Sequence, residues 1–150
     1  MHFNLSIQIH RAPEDVFVFL RDKHLIPQQE GSPVLSLEKL TPGAVGIGTL
    51  FREVVRILPF LRAEILSRVT RFEPYTCLQE EFWGNFMRGW LTYTFSPHAE
   101  GTLLVQDQIF EPLGLMRLLI PLAKNMLSRR LLDRIKTIRA ALEGEKPAIR

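Results

Sequence analysis

Residues 87–110 read MRGWLTYTFSPHAEGTLLVQDQIF, two alternating stretches separated by Pro97, Ala99 and Gly101. In the first, Met87, Gly89, Leu91, Tyr93 and Phe95 share one parity, while Arg88, Thr92 and Thr94 share the other. That period of two is the mark of a strand with one buried face, so Tyr93 is expected to point inward. A core tyrosine bonded to a neighbour and a tyrosine orienting a ligand are both compatible with that position. The second stretch leaves both parities open. If Leu103, Val105, Asp107 and Ile109 face inward, Asp107 is a carboxylate among apolar neighbours with a raised pKa, able to act as acid, base or polar anchor. If Leu104, Gln106, Gln108 and Phe110 face inward, Asp107 is solvated.

Upstream of this hairpin the same texture continues. Strands are predicted over residues 34–40, 49–57, 61–72 and 76–83, separated by Thr41-Pro42-Gly43, Leu58-Pro59, Glu73-Pro74 and Gly84-Asn85, each a turn-forming sequence. Connections this short hold no crossover helix, so neighbouring strands should be antiparallel and meander-like. In 49–57, Glu53 alternates with Phe51, Val55 and Ile57, whereas Arg52 and Arg56 alternate with Leu50 and Val54. The parity with Glu53 inward is favoured, because two buried arginines would cost more than one buried carboxylate. Residues 3–9 form one more alternating strand, followed by a helix over 13–20 that opens on Pro13-Glu14-Asp15 and presents Val16, Phe17 and Leu20 on one face. A second short helical stretch is expected within 22–28.

Downstream the period changes. Met116, Ile120, Ala123, Leu127, Leu131, Ile135, Ile138 and Leu142 recur at steps of three and four, which predicts one long amphipathic helix over 115–142, bent at Pro121 or starting near it. Residues 113–122 are apolar almost all round. Either the second apolar side meets a membrane surface or partner, with Arg129 and Arg130 close behind, or the helix start is packed between the sheet and the short N-terminal helices. The packed arrangement is the expectation.

These elements assemble into a single α+β domain over residues 1–150. It is a helix-grip arrangement: a seven-stranded curved antiparallel sheet wrapped around a long C-terminal helix, with two short helices after the first strand. A helix lying across a curved sheet leaves a gap, the natural place for a ligand. Its expected lining is Phe51, Glu53, Val55, Met87, Leu91, Tyr93, Asp107, Met116, Ile120 and Ala123. Few inward positions are polar, so isolated polar groups are expected there and not a converging His, Asp or Glu pair.

Composition narrows the remaining choices. The net charge of +3 at pH 7 is small and its cations are scattered, so no nucleic-acid partner is expected. No Gly-rich phosphate loop or nucleophile elbow is present, and the four histidines are far apart, so neither cofactor nor metal is expected. The lone Cys77 forms no intramolecular bridge and the first residues read as a strand, pointing to a reducing cytoplasm. Pro121 and Lys124 interrupt the most apolar run well short of the roughly 20 residues that span a bilayer, so no stable membrane insertion is expected.

Four pieces in order and spacing carry a resemblance: Ile9-His10-Arg11-Ala12-Pro13-Glu14-Asp15-Val16-Phe17; Pro42-Gly43 leading into Gly46-Ile47-Gly48-Thr49; Thr70-Arg71-Phe72-Glu73-Pro74; and Tyr93-Thr94-Phe95-Ser96-Pro97 with Gly101-Thr102. Over nearly its whole length the chain resembles the START-like (SRPBCC) superfamily, which includes polyketide cyclase/dehydrase and lipid-transport proteins, plant pollen allergens and coenzyme-Q-binding proteins. The resemblance implies a binder of a hydrophobic or amphipathic small molecule, a lipid, polyketide or aromatic, with homodimerisation open. Two alternatives stand beside it. One is a cyclase or dehydratase acting on a polyketide-like substrate through Glu53, Tyr93 or Asp107; the other is a protein-interaction module working through the apolar start of the long helix.

Overall fold

Among the described residues all six hydrogen-bonded strand pairs are antiparallel, and the first strand pairs with the last. The computed structural model describes residues 1–28 and 30–144; residues 29 and 145–150, part of the single unit expected from sequence, lie outside the described residues. In chain order the elements are β1 (His2–Ile9), α1 (Pro13–Arg21), a single 3-10 turn (Lys23–Leu25), β2 (Val34–Lys39), β3 (Leu50–Leu58), β4 (Leu61–Glu73), β5 (Cys77–Gly84), β6 (Met87–His98), β7 (Gly101–Pro112) and α2 (Met116–Leu142). The sheet order is β1-β7-β6-β5-β4-β3-β2, so α1 and the 3-10 turn carry the chain from one sheet edge to the other. This is the α+β helix-grip fold, with α2 across the inner face. The second short helix shrinks to one 3-10 turn, because Pro27 disfavours helical geometry in the residue before it.

Local chemistry sets the element ends. Proline opens α1 where its missing N–H costs nothing, and Glu14 and Asp15 lie in its first turn, where the helix dipole favours acids. The helix buries Val16, Phe17 and Leu20, and Phe17 meets Phe72, Tyr75 and Phe95 edge-on at 5.4, 5.7 and 5.3 Å. Such pairs contribute about 0.5–1.5 kcal/mol each beyond area burial. At the other end of the sheet Phe110 packs edge-on against Phe3 and Phe82. Gly89 stands between Phe82 and Phe110 in the register, and a Cβ there would lie 1.8 Å from the Ile109 carbonyl oxygen and 2.6 Å from the Phe82 ring. Only glycine lets these backbones and rings close. A bulge between Val69 and Arg71 re-phases β4, so that Val69 and Phe72 both stand on the side of the sheet that faces α1 and α2.

The two ends of α2 differ. Near its C-terminus Leu131, Ile135, Ile138 and Leu142 are buried, the Arg11 guanidinium donates to the Leu142 carbonyl at 2.9 Å, and the His10 N–H donates to the Glu143 carboxylate at 2.8 Å. The helix packs chiefly on β1, β7 and α1. At its start Leu115, Leu118 and Leu122 are 78, 77 and 79% exposed, which overturns the expectation that short helices cover them. The reason is topological: α1 packs at the other end of α2, so nothing among the described elements reaches its first turns. Pro121 lies on the solvent side and the helix continues through it. Among the described residues no helix is long and apolar enough to cross a membrane.

Candidate functional site between sheet and helix

Register defines the inner face row by row. Leu5, Gln106, Tyr93 and Leu78 stand opposite one another; the next row is Phe3, Gln108, Leu91, Glu80 and Val69; the next is Phe110, Gly89, Phe82, Ser67 and Phe51. Most of these side chains are apolar and buried, and a polar belt runs through them. Tyr93 is only 4% exposed, and its hydroxyl has no hydrogen-bond partner among the described residues. Gln106 donates through Nε2 to Oε1 of Gln108 at 2.9 Å, which leaves its own buried Oε1 without a partner. Buried polar atoms left unpaired in this way are rare, because each costs about 1–3 kcal/mol.

Charged groups complete the belt. Lys23, on the 3-10 turn, donates through Nζ to both oxygens of Glu80 at 2.7 and 2.6 Å, and the two side chains are only 13% and 7% exposed. The same ammonium lies 4.8 Å from the centroid of the Phe51 ring. From α2, the charge of Arg134 acts together with Tyr93, Glu53 and Glu80: its pKa is raised by Tyr93 first, then, against the effect of burial, by Glu53 and Glu80. Burial pushes the Tyr93 hydroxyl up, with Arg134 opposing and Glu80 and Glu53 adding, so it stays protonated and available as a donor. Beside Lys23, the His24 ring lies 5.7 Å from Phe51 with its Nδ1 buried and without a partner among the described residues, and burial lowers its pKa.

The residues expected from sequence fall into three groups. Phe51, Leu91 and Tyr93 belong to one continuous core, with Met87 packed against it. Met87, Met116, Ile120 and Ala123 line an apolar crevice of about 10 Å³ under the start of α2, space for about one water. Glu53 and Val55 take the inner parity of β3, where they remain partly exposed. Asp107 does not belong with these. Its side chain is on the outer face, where His2 and the Asn4 amide bond its carboxylate, and where those bonds outweigh partial burial to hold its pKa below the ordinary value. Two glutamines can be buried as neutral groups bonded to each other, whereas a buried carboxylate needs a cation, so the parity with Gln106 and Gln108 inward prevails.

Four participants were not among the expected residues: Lys23, Glu80, Gln106 and Arg134. Glu80 carries a readable signal, since it alternates with Leu78 and Phe82, both buried. Arg134 does too, lying three residues after Leu131 and four before Ile138 on the packed stripe. Polar groups are therefore paired inside, Lys23 with Glu80 and Gln106 with Gln108, where isolated groups were expected; neither pair is one of two His, Asp or Glu residues. Among the described residues no cluster of three or more His, Cys, Asp or Glu is arranged to hold a metal ion.

Residues 1–143 match the family described as polyketide cyclase/dehydrase and lipid transport, and the chain belongs to that family. Its fold recurs in solved structures. TTHA0849 from Thermus thermophilus superposes with a TM-score of 0.77 at 22% identity, covering 96% of this chain and 98% of that one. The ZhuI aromatase/cyclase from Streptomyces sp. R1128 gives 0.73 at 13% identity, covering 95% and 93%. DR_A0006 from Deinococcus radiodurans gives 0.66 at 17% identity, covering 96% and 98%. At these identities the likeness is one of fold. No curated relative matches the chain in sequence.

Proposed function

We propose that this chain binds an amphipathic small molecule between the concave face of the sheet and α2, its apolar body against Leu91, Phe51 and Val55 and its polar end at Tyr93, Gln106 and Arg134. The observation that carries this reading is the Tyr93 hydroxyl, buried and without a partner among the described residues, level in the register with Gln106 and its free Oε1 and within the electrostatic influence of the half-buried Arg134. A ligand oxygen that accepts from Tyr93 and Arg134 removes the cost of leaving the hydroxyl unpaired. The crevice of about 10 Å³ is smaller than any such ligand, so binding requires the start of α2 to lift. That motion is the cheap one, because the helix is fastened at its other end. The free thiol of Cys77, buried and pushed to a higher pKa by that burial, fits a reducing cytoplasm.

The test is native mass spectrometry of the protein purified from its own host, with the wild type beside Tyr93→Phe. A co-purified hydrophobic molecule that the variant loses supports the reading; a protein that never carries one, and whose tryptophan fluorescence answers no amphipathic probe, ends it. The inner parity of Glu53 and the action of its charge on Tyr93 and Arg134 give a second reading, acid–base catalysis of a cyclase or dehydratase type, with Glu53 as base because Glu80 is engaged by Lys23. A Glu53→Gln variant that binds normally but has lost turnover of the co-purified molecule would replace the first reading with the second.

A further inference from the structure

The start of α2 is apolar on two opposite sides, and the fold uses only one. Met116, Ile120, Ala123 and Leu127 face Met87 and Phe110. Leu115, Leu118, Leu119 and Leu122, at the i, i+3, i+4, i+7 spacing of one stripe, point away, three of them more than three-quarters exposed. A second apolar element projects at the same end of the molecule. The β3–β4 hairpin tip exposes Leu58 and, at 86%, Phe60. The Arg130 guanidinium donates to the Ile57 carbonyl at 3.2 Å. It thereby ties to this hairpin the flank of α2 on which Leu119, Met126 and Arg130 follow one another at steps of seven and four.

Within both segments, between Glu111 and Asp133 and between Glu53 and Glu64, the charge has one sign. From residue 112 to 132 the chain carries Arg117, Lys124, Arg129 and Arg130 and no Asp or Glu; from 54 to 63 it carries Arg56 and Arg62 and again no acid. A second copy of the chain meeting this surface across a two-fold axis would set these cations against themselves. A groove on a protein would have to match two separate projections in shape. A lipid interface accepts separate projections in any arrangement, takes leucine and phenylalanine into its headgroup boundary, and attracts flanking cations when its lipids are anionic.

We propose that this end of the molecule docks on an anionic bilayer surface, with the leucine stripe and Phe60 entering the interface and the surrounding Arg and Lys lying against the headgroups. The contact is interfacial and does not span the bilayer. It is independent of the ligand reading, because the surface exists whether or not the gap is filled, and either can fail alone.

The experiment is co-sedimentation of the full chain with vesicles of phosphatidylcholine alone and of phosphatidylcholine with an equal part of phosphatidylglycerol. Binding is expected to the anionic vesicles, weakening as salt rises, and to be much lower on the neutral ones. L118E/L122E and, separately, F60E should each lower the partition by about tenfold or more, the cost of withdrawing a large apolar side chain. K124E/R129E should do the same on anionic vesicles only. Unchanged melting temperatures show that the variants are folded; should the glutamates destabilise, L118Q/L122Q supplies the reading. No partition into either vesicle, equal partition into both, or no effect of L118E/L122E overturns the proposal. So does a dimer in light scattering that L118E/L122E splits, which would assign the stripe to a second copy.

Discussion

The two sides of the sheet share one alternation and have different surroundings. Under α1 and α2, the inward residues Ile9, Phe95, Thr102 and Leu104 are buried almost without remainder. In β3 and β4 Phe51, Ala63 and Val69 are buried too, but the inward residues Leu37, Glu53, Val55, Ile65 and Ser67 of β2, β3 and β4 keep partial exposure, because α2 packs chiefly on β1 and β7. The polar belt of Lys23, Glu80, Tyr93 and Arg134 lies where the covered side gives way to the open one. Alternation thus says which face is inner, and only the position of the covering helix says how dry that face becomes. Charged groups are tolerated along that boundary because partial hydration and mutual pairing offset their burial.

The largest expected effect tests how dry the boundary is. Lys23→Met leaves the Glu80 carboxylate buried without its cation, and should cost about 3–5 kcal/mol in urea unfolding. The double variant Lys23→Met/Glu80→Leu should recover most of the loss, since an apolar pair of similar volume replaces a buried ion pair at little or no cost. A single-variant loss below about 1 kcal/mol would mean that water already screens the pair as it does a surface one, and that the open side extends to β5.

Packing offers a direct contrast between the sides. Leu104→Ala, in the fully covered part of β7, should cost about 2–5 kcal/mol, whereas Val55→Ala on the partly exposed inner face of β3 should cost about 1 kcal/mol or less. Equal losses would mean that both sides are equally packed and would remove the asymmetry. Tyr93→Phe acts in the opposite direction on stability. It deletes a hydroxyl that the fold leaves unpaired, so the protein should gain about 1 kcal/mol in the absence of ligand. Ligand affinity should fall about tenfold, one charge-assisted bond's worth. Lost stability would show that the hydroxyl is satisfied in solution and is no anchor.

The sequence made the architecture legible because each strand carries its parity in its own residues. Leu91 and Tyr93 are placed on the inner face by two-residue alternation alone, Phe51 and Glu53 only once two buried arginines are weighed against one carboxylate, and α2 by its steps of three and four. Asp107 could not be placed, since Leu103, Val105 and Ile109 compete evenly with Leu104 and Phe110 for the core, and the choice rests on partners more than 100 residues away in β1. The bare start of α2 is not legible for a related reason: an apolar surface declares that it suits burial and does not declare what buries it. Lys23 carries no signal, because a lysine in a short turn reads as solvated and only the fold lays that turn against β5.

The smallest effect concerns pH, and it probes the open side through the 3-10 turn. His24 sits there beside Lys23 and against Phe51; its pKa is lowered by burial first, with Asp22 opposing and Lys39 and Lys23 adding to the decrease. A folded pKa below the ordinary value of about 6.5 means that, as pH falls, the unfolded chain takes up this proton first. The contribution of neutral His24 to stability is therefore complete above about pH 6.5 and is lost as pH falls toward the lower folded value. In urea unfolding followed between about pH 8 and 5, His24→Gln should run parallel to the wild type at the upper end and lose less stability below about 6.5. Amide exchange in the 3-10 turn of the wild type should quicken over the same interval beyond its intrinsic pH dependence, since a protonated His24 repels Lys23 and Lys39 and loosens the segment that presents Lys23 to Glu80. Parallel curves across the whole range would show that the ring is hydrated, and that the open side of the sheet admits water as far as Phe51.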